Sequence, residues 1–147
     1  FYRIKCIIKL ETCTNLLKEK TMEEIKQLVY NYAKAVHSQN EEEFKSLWSS
    51  KENILISLAN QFNGTDAIYQ DFLIGGIQSH YESIDLVVEK IDIHMIDENK
   101  AIVVFRYHTE CIRRDTHEPY GIQGLETQIV IKENNQWKLM HIHYSKK

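Results

Sequence analysis

Near the end of the chain His141 and His143 stand two residues apart, in step with Trp137 and Leu139. Residues two apart on a β-strand point to one face, which would put both imidazoles side by side. Such a pair can ligate a metal, with His108 as a third donor. It serves equally well for hydrogen bonds between strands or across a dimer contact, and on that simpler account no metal or other cofactor is expected. Cys6, Cys13 and Cys111 are widely spaced, with no Cys-x-x-Cys, and read as free thiols in a reducing compartment. Nothing in the sequence marks Cys111 as a nucleophile. Arg113-Arg114-Asp115 reads as a solvated strand end.

Positioning these groups takes a helical half followed by a strand-rich half. Ile25, Leu28, Val29, Tyr32, Ala33 and Val36 recur at the spacing of one helix face, which predicts a helix over 22–39. Thr21 can cap it, with Glu24 completing a capping box. A short helix over 41–48 follows, with Asn40 as its cap and Glu41 to Glu43 at its positive end. Residues 54–58 read as a strand, and Asn63-Gly64 as a turn. Asp66 opens a third helix, with Ile68 and Phe72 inward, which Gly75-Gly76 weakens or ends. The remainder alternates like strands: 84–95, with a change of phase near Glu89-Lys90 that predicts a bulge, then 101–114, 124–132 and 136–145. Glu133-Asn134-Asn135 is a tight polar turn between the last two. The order predicts an α+β layout, with helices on one face of a curved antiparallel sheet.

The chain has 147 residues, 43% hydrophobic and 27% charged, which fits one globular domain able to bury a core without staples. A net charge of -3 and a pI near 6.2 supply no positive field for nucleic acid or anionic lipid. No apolar run reaches membrane-spanning length, so neither nucleic acid nor membrane is an expected partner. The start of the chain is broken by Lys5, Lys9 and Glu11 and makes a poor signal peptide. A cytoplasmic location is expected. Residues 1–21 match no element implied by the rest. Lys18-Glu19 can be encoded as a ribosome-binding sequence a short distance before Met22, which predicts that 1–21 are translated leader and that the domain spans 22–147. The alternative is a genuine N-terminal strand or helix, since Tyr2, Ile4 and Cys6 alternate.

Three stretches carry a resemblance: NYAKAVHSQNEEEFKSLW ending at Trp48; Gly64-Thr65-Asp66 leading to Phe72; and GLETQIVIKENNQWKLMHIHYS ending at Ser145. In order and spacing they resemble SnoaL-like proteins of the NTF2-like superfamily. They are also similar to the association (hub) domain of calcium/calmodulin-dependent kinase II. The likeness runs from Met22 to Ser145. It implies an NTF2-like, cystatin-like cone, in which N-terminal helices pack on a curved antiparallel sheet around a pocket open at one end. That superfamily spans isomerases, cyclases, dehydratases, transport factors and oligomerising hubs, so fold does not give function.

The same resemblance assigns roles. Tyr32 matches the phenol donor of ketosteroid isomerases and could polarise a carbonyl, or be a core tyrosine with its hydroxyl satisfied. The base of those isomerases would fall near Ile56-Ser57, where there is no carboxylate, so that mechanism is not expected. Likeness to the hubs turns Met140, Ile142 and Tyr144 toward the pocket, beside Glu126, Gln128 and Val130, then Phe105, Tyr107 and Thr109. Positions that are arginine in hubs read Tyr107, Gln128 and Tyr144, which implies a neutral, aromatic pocket. Glu126 is its one candidate carboxylate, either an acid–base group of raised pKa or a structural glutamate with a partner. The expectation is therefore a homodimer that buries Ile129, Ile131, Leu139, His141 and His143 on its outer sheet face. It binds a small neutral organic ligand among Trp48, Phe105, Gln128, Ile142 and Tyr144. Any catalysis, of isomerase, cyclase or dehydratase type, would rest on Glu126, Tyr32 and Tyr107. The alternative is an oligomerisation or interaction module like the hub.

Overall fold

The computed structural model describes residues 2–147. Helix α1 runs unbroken over Tyr2–Ser38. No proline or glycine interrupts it, so Thr21 lies in its interior and caps nothing, contrary to the expected helix start. The side chains of residues 5–20 are exposed. From Ile25 onward one face is buried, through Leu28, Val29, Tyr32, Ala35 and Val36; Ala35 takes the place expected for Ala33. Helix α2, Glu41–Ser46, has the predicted cap, with Glu43 N–H donating to Asn40 Oδ1 at 2.9 Å.

Strands β1 (Ile54–Ser57) and β2 (Asn60–Asn63) form a hairpin whose two-residue loop holds Leu58 at φ 56. Asn63 thus ends a strand rather than forming a turn with Gly64. A helical turn, α3 (Thr65–Ala67), continues directly into a π-helical segment, Ile68–Gln78. Gly75 and Gly76 do not end it. The Ser79 hydroxyl donates to Gly75 O, and His80 Nδ1 lies 2.8 Å from Gly76 O, so side chains just beyond the segment serve its last carbonyls.

Four long elements and one short one complete the sheet: β3 (Tyr81–Asp97), β4 (Lys100–Arg113), β5 (Pro119–Tyr120), β6 (Gln123–Glu133) and β7 (Gln136–Lys146). The spatial order is β2-β1-β7-β6-β4-β3, with β5 beside β4. The sheet is mixed rather than purely antiparallel, because β1 runs parallel to β7 and pairs Ser57 with Tyr144. The predicted change of phase in β3 is a bulge between Val88 and Lys90, which curls the sheet around α1. The turn between β6 and β7 has Asn134 at φ 48 and Asn135 at φ 62, the left-handed pair that a two-residue hairpin loop needs.

A second bulge corrects the reading of β7. Ile129 pairs with His141 but Val130 pairs with Leu139, so Met140 is an extra residue and the alternation shifts there. Trp137 and Leu139 therefore share the inner face with Ile142, while His141 and His143 face out. Leu139 is fully buried and leaves the expected outer patch, whereas Ile131, next to the inward Val130 and paired with Lys138, stays on the outer face although little of it is exposed. Met140 is half-buried rather than a pocket residue.

Candidate functional site

The inner face of the sheet closes against α1 as a core at one end and opens as a cavity of about 320 Å³ at the other. Alternation along β6 places Glu126 and Gln128 inward, and both are buried. Glu126 sits opposite Phe105 on β4 and Tyr144 on β7. One pleat further along, Tyr107 pairs with Gly124. Glycine is required there, because a Cβ would run into the Ser145 carbonyl. That same carbonyl accepts the Tyr107 hydroxyl at 2.9 Å, which pins the phenol across β6.

Glu126 lines the cavity at 3% exposure. Its Oε1 accepts from Gln128 Nε2 at 2.9 Å, and no other hydrogen bond to its carboxyl occurs among the described residues. Burial pushes its pKa up to about 8, against a smaller opposing effect of the Gln128 bond. Tyr32 reaches the same space from α1 at 2% exposure, and its hydroxyl finds no hydrogen-bond partner among the described residues. Burial, then the nearby Glu126, raise its pKa well above the usual phenol range. Tyr144 shares a short hydrogen bond with Ser57 Oγ and meets Tyr107 edge-on, with centroids 6.2 Å apart. Both phenols are also held protonated by burial. At neutral pH the deep end of the cavity thus presents one protonated carboxyl and three neutral phenols.

The rest of the wall is largely apolar. Phe62 of β2, Phe72 and Ile77 of the π-helical segment, and Ile84 and Leu86 of β3 line it. Tyr81 stacks on Tyr120 at the edge, with centroids 5.9 Å apart and planes within 12°. Lys146, exposed, is the one cation among the lining residues. Cys111 also lines the cavity, and burial raises its pKa, so it remains a thiol.

The structure therefore brings together Glu126, Tyr32, Tyr107 and Tyr144. It does not bring Trp48, Phe105, Gln128 or Ile142 to the cavity surface. Trp48 packs on Phe44 at 6.1 Å and bridges to Leu139, deep in the core. Phe105, Gln128 and Ile142 point inward but lie in the close-packed end. Of the three phenols around Glu126, Tyr107 donates to Ser145 and Tyr144 is paired with Ser57, so Tyr32 is the one with no partner among the described residues. His108 is held by Glu89 and Glu110 and faces away, and among the described residues no three potential ligands gather around one point. Sequence reasoning missed Phe62, Tyr81, Tyr120 and Ser57. Phe62 and Tyr120 sit on strands of four and two residues, too short for alternation to register.

The SnoaL-like domain family model matches residues 25–146. No curated protein matches. Among solved structures, an NTF2-like superfamily protein from Salmonella enterica serovar Typhimurium is 24% identical, with a TM-score of 0.77 over 90% of this chain and 92% of that one. A protein assigned as a scytalone dehydratase from Novosphingobium aromaticivorans is 19% identical, with a TM-score of 0.79 over 92% and 88%. The hexachlorocyclohexane dehydrochlorinase LinA-type3 from Novosphingobium barchaimii is 10% identical, with a TM-score of 0.80 over 90% of each chain. At these identities the likeness is one of fold.

Proposed function

Because the chain belongs to the SnoaL-like domain family, we propose that its cavity binds a small, neutral, partly apolar organic molecule and moves a proton on it, with Glu126 as the acid–base group and Tyr32 as the hydrogen-bond donor. The observation that carries this reading is a buried carboxyl with one free oxygen beside a buried phenol with no protein partner, both on one cavity. An acid whose pKa is about 8 both holds and releases its proton near neutral pH, the condition under which proton transfer is most efficient. A carbonyl oxygen seated against Tyr32 would be polarised, and the ionised fraction of Glu126 would take the proton from the acidified adjacent carbon–hydrogen bond, its carboxylate becoming the carboxyl that can later return it. Elimination of water or hydrogen chloride, for which two structural relatives are named, needs a group of this kind.

The apolar wall supplies most of the affinity, and among the described residues no buried cation lines the cavity to offset the desolvation of an anionic ligand. Titration calorimetry with matched pairs, a bicyclic ketone against the corresponding acid, tests this. The ketone binds more tightly, and Tyr32→Phe weakens it by about 0.5–1.5 kcal/mol, the net contribution of one hydrogen bond. Tighter binding of the acid, or no binding by a protein that forms large rings in light scattering, would favour the hub-like module instead.

A further inference from the structure

Among the described residues Gln128 is the one fully buried amide on the inner face, yet it does not touch the cavity. It lies between Val103 of β4 and Ile142 of β7, one inward step beyond Glu126. Its Nε2 donates to Glu126 Oε1 at 2.9 Å, while its own Oε1 is buried with no partner. An orphaned buried acceptor is a cost that methionine or leucine would avoid at this apolar site. The amide is therefore a poor choice for packing alone, and what it does make is a single bond to the cavity carboxyl.

We propose that Gln128 is a positioning residue: it occupies Oε1 of Glu126 as a fixed acceptor, and so assigns the exchangeable proton to Oε2, the oxygen left to the cavity. The inference rests on reading Glu126 as the acid–base group, and it sharpens that reading by naming the reacting atom. A carboxyl free to rotate would offer its proton to either side. One clamped from behind presents O–H forward when protonated and a single free oxygen when ionised. The groups that face Glu126 from the neighbouring elements are Tyr32 of α1, Tyr107 of β4 and Tyr144 of β7, all neutral phenols, so no cation competes with Gln128 for the carboxyl. Of these, only Tyr32 has an uncommitted hydroxyl, and it shares the cavity with Oε2.

The test needs no substrate. Infrared difference spectra between wild type and Glu126→Gln isolate the carbonyl band of protonated Glu126, and ¹³C NMR of labelled glutamate follows its titration. In Gln128→Met and Gln128→Leu the band moves to higher wavenumber because Oε1 loses its donor. The titration midpoint rises by about one pH unit because the ionised form loses a charge-assisted bond. Both variants stay folded at pH 6, where Glu126 is protonated. A titration midpoint that falls instead would mean that Glu126 donates to Gln128 Oε1, and an unchanged band would mean that the amide does not touch the carboxyl; either would overturn the proposal. So would unfolding of both variants at pH 6, which would make Gln128 structural. If the band and midpoint shift as expected but wild type and Glu126→Gln exchange the α-hydrogens of a bound ketone with deuterated water at the same rate, the clamp stands and the acid–base reading of the site falls.

Discussion

Glu126 couples the site to stability, and the sign follows from its raised pKa. Between the ordinary value of 4.5 and about 8 the folded protein holds a proton that the unfolded chain has released. This group's contribution is therefore most favourable below pH 4.5 and is lost progressively as pH rises to about 8. At pH 7 the cost is on the order of 3 kcal/mol, because each pH unit climbed within that window removes about 1.4 kcal/mol. Glu126→Gln cannot titrate, so it is expected to be more stable than wild type by roughly that amount at pH 7–8, with a flatter pH profile, while losing any proton-transfer activity. Urea unfolding of both proteins at several pH values reads this directly; parallel profiles would mean the carboxyl is already ionised in the fold. Tyr107 behaves differently. Its hydroxyl serves Ser145, so Tyr107→Phe costs about 1 kcal/mol of stability and leaves ketone binding nearly unchanged.

At the scale of elements, the close approach at Gly124 decides how the cavity floor is built. Gly124→Ala puts a methyl group into the Ser145 carbonyl, forcing β6 and β7 apart where Tyr107 is anchored. The expected result is a loss of about 1–3 kcal/mol, typical of overpacking, together with loosening of Tyr107 in its ring NMR signals. Wild-type stability in this variant would show that the strands separate freely. The long strands, the bulge near Glu89 and the Asn134-Asn135 turn were legible because each writes itself in local alternation or turn chemistry. Strand phase alone did not say which face of β6 is inner; likeness to the hubs turned Glu126 toward the pocket, and it does line the cavity. The bulge at Met140 was not legible: Trp137, Leu139, His141 and His143 alternate perfectly, and only pairing with β6 shows that the phase shifts between Leu139 and His141. The parallel pairing of β1 with β7 is equally silent, because parallel and antiparallel neighbours ask for the same side chains in so short a strand.

For the whole molecule, the outer sheet face and the N-terminal part of α1 make opposite demands. Ile102, Ile129 and His141 form one cross-strand row on the outer face, with Met140 beside them, all half-buried in the single chain. A symmetric dimer would bury this row. Sedimentation at micromolar concentration is expected to show a dimer at pH 7.5 that weakens at pH 5.5, since burial and His143 lower the pKa of His141 and protonation would charge the interface. A monomer at both pH values removes the claim. Residues 5–20, in contrast, are exposed, and the family match starts at residue 25. A chain starting at Met22 should therefore melt within a degree or two of the full one, whereas a large drop in Tm would show that the segment docks. Ser57 and Tyr144 are joined across 87 residues of chain, and the hairpin that walls the cavity leans on β7, which is made after every other strand of this sheet. Helix α1 can coil as it leaves the ribosome, but the cavity cannot close until β7 has cleared the exit tunnel. A nascent chain stalled before residue 136 would expose its apolar inner face to chaperones and proteases, and release of β7 would be the moment at which the cavity first exists.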